Sequence, residues 1–326
     1  MELFARTLAS RRADWPFLVK VREGDQRPPF FCVHGAGGNV LSMRDLALAL
    51  PHDLPFYCFQ ARGLDGKSRP FATVEETAEC YVSEILKVQP RGPYYLGGVS
   101  YGGLVAFEMA RRIQSMGKVV SLLVLFDTRN FAYGSQISKP KLLYFNLSYF
   151  LRRASFHLKA LGRMSPREWN HYLSHRIALL LGMVGNVART AAGKNAGLSP
   201  IDDPADETEI LDGQEDWVEV LNQVGEASRL AARNFVPKPY NGHLLVFSAK
   251  TRDDHPYREN TLGWVPVALG GVTACEIDGD HRSMMSNPAV GAIAAKLDEA
   301  HRAAQRAAPS SFPSEGQTSS STETNA

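Results

Sequence analysis

YYLGGVSYGGLVAFEMARRI, residues 94–113, decides the fold. Its first residues are short, apolar and aromatic, the composition of a buried strand. Its later part, LVAFEMARRI, spaces apolar residues as an amphipathic helix does and runs toward Gly117, a residue suited to a helix end. Between the two lies Gly98-Val99-Ser100-Tyr101-Gly102, a GxSxG pattern. A strand that turns into a helix this sharply forces the central serine into a strained backbone with its hydroxyl exposed. Side chains two positions before and two after the serine would collide, so glycine stands at both. The pattern alone arises by chance. A strand ahead of it and a helix behind it make Ser100 a candidate nucleophile.

Outward from this turn, short apolar runs bounded by Gly and Pro predict strands at 16–21, 30–34, 55–61, 94–98, 121–127, 244–249 and 273–278. Helical spacing fills 39–50, 73–89, 102–116 and 286–302. Strands alternating with helices give an α/β class with a mainly parallel central sheet and helices on both faces. Residues 131–240 are mostly helical and too long for a connection, which predicts a helical lid insertion over the sheet. The expected organisation is a leader at 1–15, one domain at 16–302 and a tail at 303–326. The tail is rich in Ala, Ser, Thr and Pro. It holds too little apolar surface to offset ordering entropy and reads as disordered.

A serine needs a base. Of nine histidines, His281 in DGDHRSMM follows the last strand and precedes the final helix. Nucleophile, acid and base follow one another in chain order in such folds, which suits His281. His243 begins a strand, His255 sits in an acidic loop, and His301 lies near the helix end beside the tail. Two places remain open for the acid. Asp127 closes the strand after the Ser100 helix, where a carboxylate in an apolar run needs a partner. Asp253 and Asp254 follow the next strand in a polar loop and need no such explanation. The burial argument favours Asp127. Backbone N–H donors for a tetrahedral oxyanion are expected at Tyr101, just after the nucleophile, and at Ala36 in His34-Gly35-Ala36-Gly37-Gly38.

Composition excludes several classes. The chain has 326 residues and a formal net charge of +2, which gives no reason to expect nucleic acid as a partner. No apolar run reaches the length of a membrane-spanning helix, and no membrane association is expected. Residues 1–15 lack the apolar core of a secretory signal. Their three arginines are offset by Glu2 and Asp14, against a mitochondrial presequence. The four cysteines, Cys32, Cys58, Cys80 and Cys275, form no CxxC pair. They read as buried, reduced thiols of a cytoplasmic protein, with no zinc or other metal expected.

VHGAGG, LGGVSYGGLVAFEMARRI, LLVLFD and GDHRSMM together resemble the thioesterase domains of nonribosomal peptide and polyketide synthases, members of the α/β-hydrolase superfamily. The resemblance runs from about Phe17 to Asp298 and is thin across 131–235. It implies an α/β-hydrolase fold with a lid and no bound cofactor. It also implies an acyl, peptidyl or polyketide chain presented as a thioester on the phosphopantetheine of a carrier protein or parent synthase. Ser100 would accept the acyl group, and water or an internal amine or hydroxyl would release it. Terminal domains of synthases carry the acid at the place of Asp127; stand-alone editing members carry it near Asp253 and Asp254. Within this sequence a short leader and no carrier domain precedes the fold, so a carrier acting in trans and an excised piece of a synthase are both open.

The insertion divides by charge. Residues 139–194 carry ten lysines and arginines with Glu168 as the one acid; residues 198–228 carry ten acids and no Lys or Arg. Two solvated faces that neutralise each other explain this, as does steering of an acidic carrier protein. A basic amphipathic helix on a membrane surface, with LLYFNLSYFL as its apolar face, ranks last. Two rivals to a thioesterase stand beside the main reading. One is a carboxylesterase or lipase acting on small oxoesters. The other is a non-catalytic binding protein of the same fold.

Overall fold

The computed structural model describes residues 17–24, 27–133, 138–140, 143–144, 147, 151, 215–251 and 259–307. Their strands are β1 (Leu18–Arg22), β2 (Phe30–Val33), β3 (Phe56–Phe59), β4 (Tyr94–Val99), β5 (Val120–Phe126), β6 (Leu244–Ala249) and β7 (Val272–Ile277). Their α-helices are α1 (Arg44–Ala49), α2 (Val74–Val88), α3 (Tyr101–Ser115), α4 (Glu215–Asn234) and α5 (Val290–Ala307). The strands form one sheet in the order β1-β3-β2-β4-β5-β6-β7. Only β1 runs antiparallel to its neighbour; the other pairings are parallel.

Both faces of this sheet are covered, and the strand period shows how. Phe31, Val33, Leu96, Leu123, Leu125 and Val246 enter one core with α2 and α3. Their alternate neighbours Phe30, Cys32, Tyr95, Val124, Phe126 and Phe247 enter a second core with α1 and α5. Successive side chains on a strand point to opposite faces, so a strand buried on both sides must be apolar throughout. That explains why β2, β4 and β6 are buried along their whole length. The fold is that of an α/β-hydrolase.

All the expected strands are present, with ends displaced by at most two residues. Two helices depart from expectation. The helix expected over 39–50 is a 3-10 turn, Leu41–Met43, followed by α1. Pro51 follows Leu50, whose extended backbone ends the helix. The disordered tail expected from Ala303 is corrected in part, because α5 continues to Ala307. AAQRA consists of strong helix formers, and Ala300 and Ala304 pack on the second core. Within the expected lid, Val224, Ala231 and Ala232 of α4 are buried. The leader, residues 152–214 with most of the basic segment, and residues 308–326 lie outside the described residues. Of the cysteines, Cys32 and Cys58 are buried, whereas Cys80 and Cys275 are half-buried; all four are free. None of the described helices is long and apolar enough to cross a membrane.

Candidate active site

Ser100 sits between β4 and α3 with φ 52° and ψ −117°, the strained conformation expected of this turn. A Cβ at Gly98 would overlap the Gly102 carbonyl, and one at Gly102 would overlap the His34 carbonyl. The glycines are therefore demanded by close approach of two backbone segments. The Ser100 N–H donates to the Phe126 carbonyl (2.9 Å), and the Gly103 N–H donates to the Ser100 carbonyl (3.1 Å).

Asp127 follows β5 directly and is 2 % exposed. Its backbone also has positive φ, 43°. The strain is held from two sides. The Asp127 N–H donates to the Phe247 carbonyl (2.7 Å), and the Trp264 indole donates to the Thr128 carbonyl (2.8 Å). Asp127 Oδ1 accepts from the Ala249 N–H (2.9 Å), so one oxygen anchors the carboxylate to β6. Oδ2 accepts from His281 Nδ1 at 2.6 Å.

His281 lies in the loop after β7. Asp280 shapes that loop: its Oδ1 accepts from the N–H groups of Arg282 (3.0 Å) and Ser283 (2.8 Å) and from the Ser283 hydroxyl (2.8 Å). The Ser283 N–H heads the contacts that hold the Asp280 carboxyl below its usual range. The Thr251 N–H ties the loop to β6 through the Gly279 carbonyl (3.0 Å). With its Nδ1 hydrogen directed at Asp127, His281 presents Nε2 as an acceptor 3.1 Å from Ser100 Oγ. Hydroxyl, imidazole and carboxylate thus form one line across the carboxyl ends of β4, β5 and β7. Such a line can remove the serine proton and hold the resulting imidazolium.

Tyr101 is the first residue of α3, so its N–H has no acceptor within the helix. Its hydroxyl donates to Thr77 Oγ1 (3.1 Å), which donates in turn to the Thr73 carbonyl (2.8 Å). Burial raises the Tyr101 phenol to about 12. Ala36 is buried in the loop after β2, which closes on itself through Gly38 N–H to Gly35 carbonyl (3.1 Å). Asp253 and Asp254 lie outside the described residues. Among the described residues no three His, Cys, Asp or Glu side chains gather as a metal site would require. Trp264 and Asn130, which brace the Asp127 turn, went unnoticed in the sequence. Asn130 donates to the Gly263 carbonyl (2.9 Å), a contact between distant residues that no local pattern reveals.

Residues 28–138 match the family model described as "Thioesterase domain". That span contains Ala36, Ser100, Tyr101 and Asp127 but not His281. The chain is 28 % identical over 300 residues to a dimodular nonribosomal peptide synthase of Bacillus subtilis (strain 168). That match covers 90 % of this chain and 11 % of the synthase. It is 28 % identical over 292 residues to the microperfuranone synthase of Emericella nidulans, covering 84 % of this chain and 28 % of that protein. The chain therefore spans a small part of the length of these relatives. Among solved structures it resembles a four-domain nonribosomal peptide synthetase bound to AMP and glycine, with a TM-score of 0.60 and 23 % identity. That likeness covers 87 % of this chain and 20 % of the synthetase. It also resembles the Vlm2 thioesterase domain bound with a dodecadepsipeptide, with a TM-score of 0.53, 24 % identity and coverage of 87 % and 96 %. These structural likenesses are likenesses of fold. Residues 28–138 are thus similar to the thioesterase-domain family, and the chain at large is similar in sequence to a small part of nonribosomal peptide synthases.

Proposed function

We propose that this chain is a serine thioesterase that releases an acyl or peptidyl chain from the phosphopantetheine of a carrier protein. One arrangement carries the reading: a single imidazole, His281, lies 2.6 Å from the Asp127 carboxylate and 3.1 Å from the Ser100 hydroxyl. His281 takes the Ser100 proton at Nε2 as Oγ attacks the thioester carbonyl. The N–H groups of Ala36 and Tyr101 receive the oxyanion. Collapse breaks the C–S bond, and the imidazolium returns its proton to the departing thiolate. Water, or an amine or hydroxyl of the acyl chain itself, then attacks the acyl-serine with His281 as base. Asp127 fixes the imidazole tautomer and stabilises its charge throughout.

No cofactor takes part; the pantetheine arrives with the substrate. The partner is a carrier protein, within a parent synthase or in trans, and the setting is the cytoplasm. The kinship with synthetase thioesterase domains supports the thioester as substrate. The same residues could attack oxoesters, so the test compares kcat/KM for an acyl-pantetheine thioester with that for its oxoester analogue. Preference for the thioester supports the reading, and preference for the oxoester favours an esterase. A wild-type chain that takes no fluorophosphonate adduct on Ser100 would be a binding protein instead.

A further inference from the structure

Behind the loop that holds Ala36 lies a buried hydrogen-bonded chain that the mechanism above does not use. His34 directly follows β2 and is 1 % exposed. Its Nδ1 lies 2.6 Å from the Gly35 carbonyl. Its Nε2 lies 2.8 Å from the Tyr81 hydroxyl, whose oxygen is 2.9 Å from the Gln60 carbonyl. Burial lowers the imidazole to about 4, so near neutrality the ring carries one hydrogen. Two lone pairs cannot face each other at 2.6 Å, so that hydrogen is on Nδ1 and is donated to Gly35. Nε2 is then an acceptor that shares the one Tyr81 hydroxyl hydrogen with the Gln60 carbonyl. The Gly38 N–H donates to the same Gly35 carbonyl at 3.1 Å.

A trans peptide is planar, and its C=O and N–H point in opposite directions. The carbonyl of Gly35 and the N–H of Ala36 belong to one peptide. Fixing the first therefore fixes the direction of the second. We propose that His34 is a positioning residue for the oxyanion donor: its Nδ1–H holds the Gly35 carbonyl and so aims the Ala36 N–H at the acyl oxygen. The backbone of His34 serves the same end, since its carbonyl lies against Gly102, which seats the loop on the elbow that carries Tyr101. This inference rests on the oxyanion role of Ala36 in the proposed mechanism.

A histidine that merely fills space and satisfies its neighbours would behave differently from one that aims a peptide. In His34→Asn the amide nitrogen stands where Nδ1 stood and keeps the donation to Gly35. In His34→Gln the amide reaches toward Tyr81 and gives up Gly35. The readouts are the rate of Ser100 phosphonylation by a fluorophosphonate, whose phosphoryl oxygen takes the place of the oxyanion, and the split between kcat and KM on an acyl-pantetheine thioester. Losing an oxyanion donor outright costs about 10²–10³ in kcat, so a misaimed one in His34→Gln is expected to cost about tenfold or more, with KM unchanged. His34→Asn is expected to stay within about threefold of wild type. Equal rates for the two variants, or loss in KM alone, would overturn the proposal. Should neither variant fold, long-range nitrogen–proton correlation on the wild-type chain decides: a neutral His34 with its hydrogen on Nδ1 supports the proposal, and one with it on Nε2 overturns it. A wild-type chain that is phosphonylated but inert toward thioesters defeats the thioesterase reading while leaving this comparison intact.

Discussion

Asp127 carries the sharpest consequence at the scale of single residues. Its two oxygens have separate tasks: Oδ1 takes the Ala249 N–H and Oδ2 takes the imidazole. Asn at this position keeps an acceptor for one and cannot hold the same tautomer of His281. Asp127→Asn is expected to lower kcat by about 10³–10⁴-fold with KM little changed, measured on any thioester the wild type turns over. Asp253→Ala combined with Asp254→Ala should leave kcat unchanged. Ser100 and His281, which the structure brings within 3.1 Å of each other, were legible as candidates because each stands in a local pattern, a strand–turn–helix and a loop after the last strand. The candidate acid was less so. Two carboxylate positions satisfied the chain-order rule, and which one approaches an imidazole depends on β5, β6 and β7 lying side by side, a register that pattern does not encode. His301 is the clearest miss. Read as a residue beside a loose tail, it is buried, stacked on Tyr95 with ring centroids 4.2 Å apart. It accepts from Arg27 (2.9 Å) and donates to the Pro28 carbonyl (3.0 Å). Its partners lie more than 270 positions away in sequence.

At the scale of elements, the turn at Ser100 depends on contact between β2 and α3. Gly102→Ala drives a methyl group into the His34 carbonyl, so the loop or the helix must shift. Loss of both thermal stability and fluorophosphonate labelling is expected, by about 2–4 kcal/mol in unfolding free energy. The start of α2 offers a contrast. Thr73 Oγ1 accepts from the Glu76 N–H (3.1 Å), and the Glu76 carboxylate accepts from the Ala72 N–H (3.1 Å). This is a reciprocal cap remote from Ser100 in function. Thr73→Ala should cost about 1 kcal/mol in denaturant unfolding and leave kcat unchanged. β2, β4 and β6 were easy to read because burial along their whole length goes with apolar composition. Helix ends were harder. The stop of α5 depended on what Ala300 and Ala304 pack against, which composition does not disclose.

For the whole molecule, ion pairs and buried imidazoles link stability to pH. Arg27 joins Asp298 (2.5 Å) and Asp53 (3.3 Å), tying the entry of β2 to α5 and to the turn after α1. Burial first, and then the Arg27 charge, lowers His301 to about 4, and burial lowers His34 to about 4. Both rings titrate nearer 6.5 in an unfolded chain. Between about pH 4 and 6.5 the unfolded state therefore binds more protons, and stability rises with pH across that window. The full contribution is present above the window and is lost as pH falls through it, on the order of 3 kcal/mol for each ring. Thermal midpoints should climb from about pH 4.5 to 7, and His301→Asn should flatten that climb. A wild-type chain with equal midpoints at both ends would contradict the linkage.

In the proposed reaction every acyl group passes through Ser100. The most direct measurement is intact mass of the chain, quenched within milliseconds of mixing with a panel of acyl-pantetheine thioesters. One acyl group is expected on Ser100, with free pantetheine thiol in equal amount, and Ser100→Ala is expected to show neither. Thiol release without any acylated chain, or an adduct that persists in Ser100→Ala, would contradict that reaction.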